Sequence, residues 1–206
     1  MAQQVVQSVR QLAARLEDAT SSERIQSLEA LQTLAKQHPS QVSEIALQSL
    51  LDVLQERGSA EEYLETLNVL DILIKSSDSV ISLKNVNAIL SEGGSVELLL
   101  DLLDHSDSTV GVMASQILTQ LQSSNSVKVE SMIQNIPDGM NKLLQRLPDS
   151  SREAVRDQAL VLVQKLTANS EEMKKTLVFN EVSDQFCYLL RALVLTRRLA
   201  KLGCTL

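Results

Sequence analysis

Residues 99–122 read LLDLLDHSDSTVGVMASQILTQLQ, and residues 143–167 read LLQRLPDSSREAVRDQALVLVQKLT. Both follow one plan: two leucines four apart, a short acidic or Ser-rich break, then a second apolar stripe. The same leucine pair recurs at Leu12/Leu16, Leu50/Leu54, Leu99/Leu103, Leu143/Leu147 and Leu189/Leu193, at intervals of 38, 49, 44 and 46 residues. After each of the first four pairs the stripe repeats at spacings of three and four: Leu28, Leu31, Leu34; Leu67, Leu70, Ile74; Ala114, Ile117, Leu121; Ala159, Leu162, Leu166. That spacing places the residues on one face of an α-helix. The intervening EDATSSE, QERGSAEE, DHSDST and PDSSRE supply Ser, Thr or Asp to cap a helix start, and SSRE adds a Glu three residues on. Shorter third elements follow at PSQVSEIAL, SVISLKNVNAIL, VKVESMIQN and EEMKKTLVFN.

A unit of roughly 40–47 residues with two or three helices is the period of armadillo and HEAT arrays. One such unit cannot cover its own leucines, and stacking the units buries them in a nearly one-dimensional core. The predicted fold class is all-α: a right-handed armadillo/HEAT-like α-solenoid of about four repeats plus a partial fifth. Repeats are expected over residues 1–184, with a diverged terminal piece over 185–206. Composition agrees. The 206 residues are 44% hydrophobic, yet contain no Trp, two Phe and two Tyr, so Leu, Ile, Val, Ala and Met must fill the core. Ala and the straight-chain residues cost least in a helix, while strand formers such as aromatics and Thr are sparse, so the mixture favours helix.

From Glu23 to Gln55 the chain reads ERIQSLEALQTLAKQHPSQVSEIALQSLLDVLQ, which resembles the first repeat of the head domain of the general vesicular transport factor, a golgin-class vesicle tether. In the fourth unit Arg152-Glu153, Arg156-Asp157, LVLVQKLTANS and VFNEVSDQF follow that head's order without a gap. The resemblance runs from about residue 5 to about residue 190 and rests on unbroken register through several repeats. Where that head carries Trp-Pro-Gly in its third unit, this chain has Val112, Met113 and Ala114. The resemblance implies a non-enzymatic scaffold for ER-to-Golgi or intra-Golgi transport, cytoplasmic and peripheral on those membranes through its partners. Those partners would be a Rab-family GTPase and SNARE or golgin tethering proteins. Another cytosolic armadillo adaptor, such as an Hsp70 nucleotide-exchange cochaperone, is the alternative.

The residues themselves speak against other classes. A formal charge of −7 with scattered basic residues disfavours nucleic-acid binding. Two cysteines, Cys187 and Cys204, are too few for a disulfide framework. His38 and His105 fall in inter-helix turns without partner ligands, so no metal site is expected. Gly93-Gly94 lacks the Lys-Ser/Thr of a phosphate loop and reads as a helix stop, with Ser95 as a cap for the next start. Met132, Met140 and Met173 read as core filler, and no catalytic or cofactor-binding residue is expected. At the end of the chain, apolar Phe186, Leu189, Leu190, Leu193, Val194 and Leu199 beside Arg197, Arg198 and Lys201 predict either self-association through that end or a loosely held segment over residues 185–206. Binding is expected on the polar side of the second helix of each unit, the helix that lines the concave groove of armadillo arrays. The protein-binding candidates there are Glu29, Thr33, Asn68, Asp71, Gln116, Gln120, Gln164 and Lys165.

Overall fold

The structure is a computed structural model and describes residues 2–179 apart from 19, 57, 148, 149 and 169. Its helices in chain order are α1 (Ala2–Asp18), α2 (Ser21–Gln37), α3 (Pro39–Gln55), α4 (Ala60–Ile74), α5 (Ser79–Ile89), α6 (Ser95–Asp101), α7 (Ser108–Ser124), α8 (Ser126–Asn135), α9 (Gly139–Leu144), α10 (Glu153–Ala168) and α11 (Glu171–Phe179). Single 3-10 turns lie at Leu102–Asp104 and Ser150–Arg152, and no strand occurs among the described residues. The four stripe helices α2, α4, α7 and α10 pack side by side, each against the next. The leucine-pair helices α1, α3, α6 and α9 form a second row behind them. Helices α5 and α8 bridge the rows. The expected solenoid is therefore present through its fourth repeat. The partial fifth repeat, with Cys187 and the apolar residues from Phe186 onward, lies outside the described residues.

Helix boundaries follow local chemistry. Thr20 donates its backbone N–H and its hydroxyl to the Glu23 carboxylate at the start of α2. Ser59 and Glu62 form a reciprocal capping box on α4: Ser59 N–H donates to Oε2 at 2.5 Å and Glu62 N–H to the Ser59 hydroxyl at 3.2 Å. Asp78 and Asp107 accept from the first free amides of α5 and α7. One expectation fails here: Ser95 does not cap α6. Gly94 occupies that position at φ +86°, while Ser95 is the buried first residue of the helix and its hydroxyl has no partner. A left-handed backbone at the cap is open to Gly at little steric cost, which is why the Gly pair rather than the Ser sets the boundary.

The third elements do not behave alike. PSQVSEIAL is not a separate helix: it runs straight into the Leu50/Leu54 pair as the single helix α3. Its counterparts are cut off from the next pair, α5 by Gly93-Gly94 and α8 by Ile136-Pro137-Asp138-Gly139. At the second cut Asp138 is left-handed (φ 56°), and a Cβ on Gly139 would lie 2.4 Å from the Ile133 carbonyl oxygen. The first repeat junction is thus HEAT-like and the later ones armadillo-like, because only the later ones contain a breaker between Pro39 of α3 and its equivalents' leucine pair.

The core is a continuous sheet of Leu, Ile and Val between the two rows, with Leu16, Leu28, Leu31, Leu50, Leu67 and Leu70 all essentially sealed from solvent. Met140 and Met173 are buried in it and Met132 partly so.

Candidate functional site: the outer face of the stacked helices

The register of the row follows from burial. Glu62, Tyr63, Thr66, Leu67, Val69, Leu70, Leu73 and Ile74 are buried in α4, and Val110, Gly111, Ala114, Ser115, Ile117, Leu118, Leu121 and Gln122 in α7: the same pattern, displaced by a constant 48 residues (62 to 110, 74 to 122). Helix α10 repeats it in Val155, Ala159, Leu160, Leu162, Val163 and Leu166. Leu67 therefore corresponds to Ser115 and not to Ala114. Matching the stripes by eye shifts α7 by one residue, since the buried face is two columns wide and either column satisfies a 3.6-residue period.

With that register, Glu29, Asn68 and Gln116 occupy one rung at the centre of the outward face, and their fourth member is Val161, 40% exposed. Thr33, Gln120 and Lys165 share one flank, where α4 carries Ile72. Asp71 and Gln164 share the other flank with Gln32 and Thr119. The flanks meet between helices. Gln120 Nε2 donates to Asp71 Oδ1 at 3.0 Å, Lys165 Nζ donates to the Ser123 hydroxyl at 2.7 Å, and Gln122 Nε2 donates to the Lys165 carbonyl at 3.2 Å. Gln32 donates to Glu65 across the α2–α4 seam. Asp71 also pairs with Lys75 at 2.8 Å. Of the eight candidates the structure joins Asp71 to Gln120 directly, ties Lys165 to a neighbour outside the set, and leaves Glu29 and Thr33 exposed on α2.

The sequence reading missed the apolar part of this face. Ile25, Leu64 and Val112 are equivalent positions one turn before the central rung, each half-buried, with Met113 beside them. A signal was present in the sequence: from Ser108 to Ser124 there is no Asp, Glu, Lys or Arg. A helix in a surface row with no charge over 17 residues resembles the charge-depleted centre of an interface. Acids flank it. Glu29, Glu61 and Glu65 lie on the α2–α4 side and Asp157 on α10, the last paired to Arg156 at 2.9 Å.

The N-terminal ends of the row are fastened by polar contacts that hold the rungs in register. Arg24 pairs with Glu56 at 2.8 Å, and the Tyr63 hydroxyl donates to the Glu56 carbonyl at 2.5 Å. The Tyr63 ring meets the His105 ring edge-on at 5.1 Å, so His105 packs against the start of α4. Arg152 donates to the His105 carbonyl at 2.6 Å and lies over Gly111, where any Cβ would touch it at 3.3 Å. Behind the row, Lys142 bonds Asp101 at 2.5 Å, and that bond holds its ammonium above the ordinary lysine pKa. Hydrogen bonds from Thr20 hold the Glu23 carboxyl below its ordinary value, and those from Thr109 do the same for Asp107. Among the described residues no group of His, Cys, Asp and Glu is arranged to hold a metal ion, and no helix is long and apolar enough to cross a membrane.

No protein-family model matches the chain. Over 82 residues it is 38% identical to Golgin candidate 6 of Arabidopsis thaliana, an alignment that covers 40% of this chain and 9% of that protein. The crystal structures of Uso1-1 and Uso1-2 match it with TM-scores of 0.77 and 0.79, at 17% and 16% identity. Those matches cover 91% and 93% of this chain and 33% of each of theirs. The chain thus spans a third of the solved structures it matches and under a tenth of the golgin. The likeness to Uso1 is one of fold, and it establishes the α-solenoid. The resemblance to a golgin-class tether head holds at two levels, in sequence to a golgin candidate and in fold to Uso1.

Proposed function

We propose that this chain is a non-enzymatic tethering module of ER-to-Golgi or intra-Golgi vesicle transport, acting through its repeats over residues 1–184. The observation that carries the reading is the 38% identity to Golgin candidate 6, which falls on a chain whose fold is that of Uso1. The physical support is the outer face of α2, α4, α7 and α10. It is broad, continuous across four repeats and free of charge at α7, and its rungs are fixed by inter-helix bonds before any partner arrives. A preorganised surface loses little entropy on binding. The partners we assign to it are a Rab-family GTPase and SNARE or golgin tethering proteins, with Asn68 and Gln116 at the centre of contact and Glu29, Thr33, Asp71, Gln120, Gln164 and Lys165 around them. Peripheral attachment to Golgi membranes follows through those partners.

The test is capture of Rab GTPases from detergent-solubilised Golgi membranes on the immobilised chain, loaded with a non-hydrolysable GTP analogue or with GDP and read by immunoblot. Capture by the wild-type chain, lost in Gln116→Arg and in Val161→Glu while circular dichroism is unchanged, supports the proposal. Equal capture by all three chains, or none by any, contradicts it.

A further inference from the structure

The outward face carries more information than its position: its charge is arranged. At its centre α7 presents Val112, Met113 and Gln116 with no charged side chain anywhere along the helix. On the α2–α4 side stand three acids. Glu29 and Glu61 are exposed and have no ion-pair partner among the described residues, and Glu65 is met only by the Gln32 amide. These three are not all explained by helix ends. Glu61 lies in the first turn of α4, where a negative charge suits the dipole, but Glu29 and Glu65 lie in helix interiors, where that benefit has faded. Of the basic residues along the row, Lys36, Lys75 and Lys165 stand at the C-terminal ends of their helices, with Lys75 paired to Asp71, while Arg24 and Arg156 at the N-terminal ends are taken up by Glu56 and Asp157. The N-terminal half of the face is therefore an apolar strip with an uncompensated acidic rim.

We propose, resting on the reading of this face as the docking surface, that its partner is a protein segment with apolar side chains at its centre and Arg or Lys around them, seated across α4 and α7 with its cations toward Glu29, Glu61 and Glu65. Apolar contact at a charge-depleted centre supplies affinity, while rim charges of opposite sign set orientation and association rate. The same rim repels an anionic lipid surface, so this face is for protein and not for membrane.

The probes are a fluorescein-labelled amphipathic peptide with Leu on one helical face flanked by Lys and Arg, the same peptide with every Lys and Arg replaced by Glu, and vesicles containing phosphatidylserine. Fluorescence anisotropy and stopped-flow are recorded with the wild-type chain and with E29K/E61K/E65K. The proposal expects the basic peptide to associate about tenfold or more faster with the wild type than with the triple variant at low salt, with that advantage shrinking as salt rises. It also expects the acidic peptide to prefer the variant, a charge swap that a merely unfolded variant could not show. Tighter binding of the acidic peptide to the wild type, equal rates for the two chains, no binding of the basic peptide, or vesicle binding abolished by Gln116→Arg each overturns it. Rab capture that is lost in Gln116→Arg yet intact in the triple variant would keep the docking face and reject only the chemistry assigned to its partner.

Discussion

Replacing Leu118 by Ala tests the stacking of the row where it is most constrained. Leu118 has no exposed surface, sits in the middle of α7, and belongs to the column Leu31, Leu70, Leu118, Val163 that runs through all four stripe helices. The substitution removes three carbons. At about 0.8 kcal/mol per buried methylene the transfer part alone is roughly 2.4 kcal/mol. The cavity adds to it, because α7 is held on one side by α4 and on the other by α10. The loss should lie in the upper part of the range of about 2–5 kcal/mol found for such truncations. Gln120→Ala, two residues away on the outer face, deletes one half-exposed hydrogen bond to an aspartate that still has Lys75, so its cost should stay below about 1 kcal/mol. Urea denaturation followed by circular dichroism reads both. If Leu118→Ala cost less than Gln120→Ala, the inner and outer faces would be interchanged and the register derived from burial would be wrong.

Leu162→Ala and Gln164→Ala repeat the contrast in the fourth unit, where Leu162 is sealed and Gln164 half-exposed; about 2–5 kcal/mol against about 0.5 kcal/mol is expected from the shift in urea midpoint. Gly139→Ala should destabilise the α8–α9 turn by about 1–3 kcal/mol, since its Cβ would strike a backbone oxygen that no rotamer change can move, whereas Gly93→Ala meets nothing within 4 Å and should be near neutral in the same melts. Glu23 and Asp107 have folded pKa values below their ordinary 4.5 and 3.8, so the unfolded chain binds protons first as pH falls. Their contribution is complete above those values and disappears as pH drops through the lower folded ones. Thermal melts should therefore be flat from pH 7 to about 5 and fall below pH 4, with a shallower fall in Asp107→Asn, which can still cap α7.

The repeat, the helices and most of the buried residues were legible because a 3.6-residue apolar period and Ser, Thr or Asp breaks are local properties. The fusion of PSQVSEIAL into α3 was also written there, as the absence of a Gly or Pro after Pro39, but it is visible only beside the breakers of the later units. The outer face is only partly legible in sequence. Glu29, Asn68 and Gln116 fall on one rung, but its fourth position is Val161, which a polar pattern passes over in favour of Gln164 and Lys165. A single-residue slip in aligning stripes rotates a helix by about 100°, enough to exchange a central residue for one on the flank. The apolar strip of Ile25, Leu64 and Val112 was hidden for a different reason. A sequence pattern separates apolar from polar, and it cannot tell a half-buried valine on the outer face from a buried one on the inner face. Likewise the Tyr63–His105 contact joins residues far apart in sequence, with no local signal to mark it.

Recruitment to membranes tests the central claim most directly. The chain, tagged with a fluorescent protein, is followed in cells alongside Gln116→Arg and Val161→Glu, and its overlap with a Golgi marker is quantified. Concentration of the wild-type chain on Golgi membranes, with both outer-face variants dispersed in the cytosol at equal abundance, is the result the account predicts. Variants that remain on the Golgi as strongly as the wild type, or a wild-type chain that never reaches it, would contradict a tethering role exercised through the outer face of α2, α4, α7 and α10.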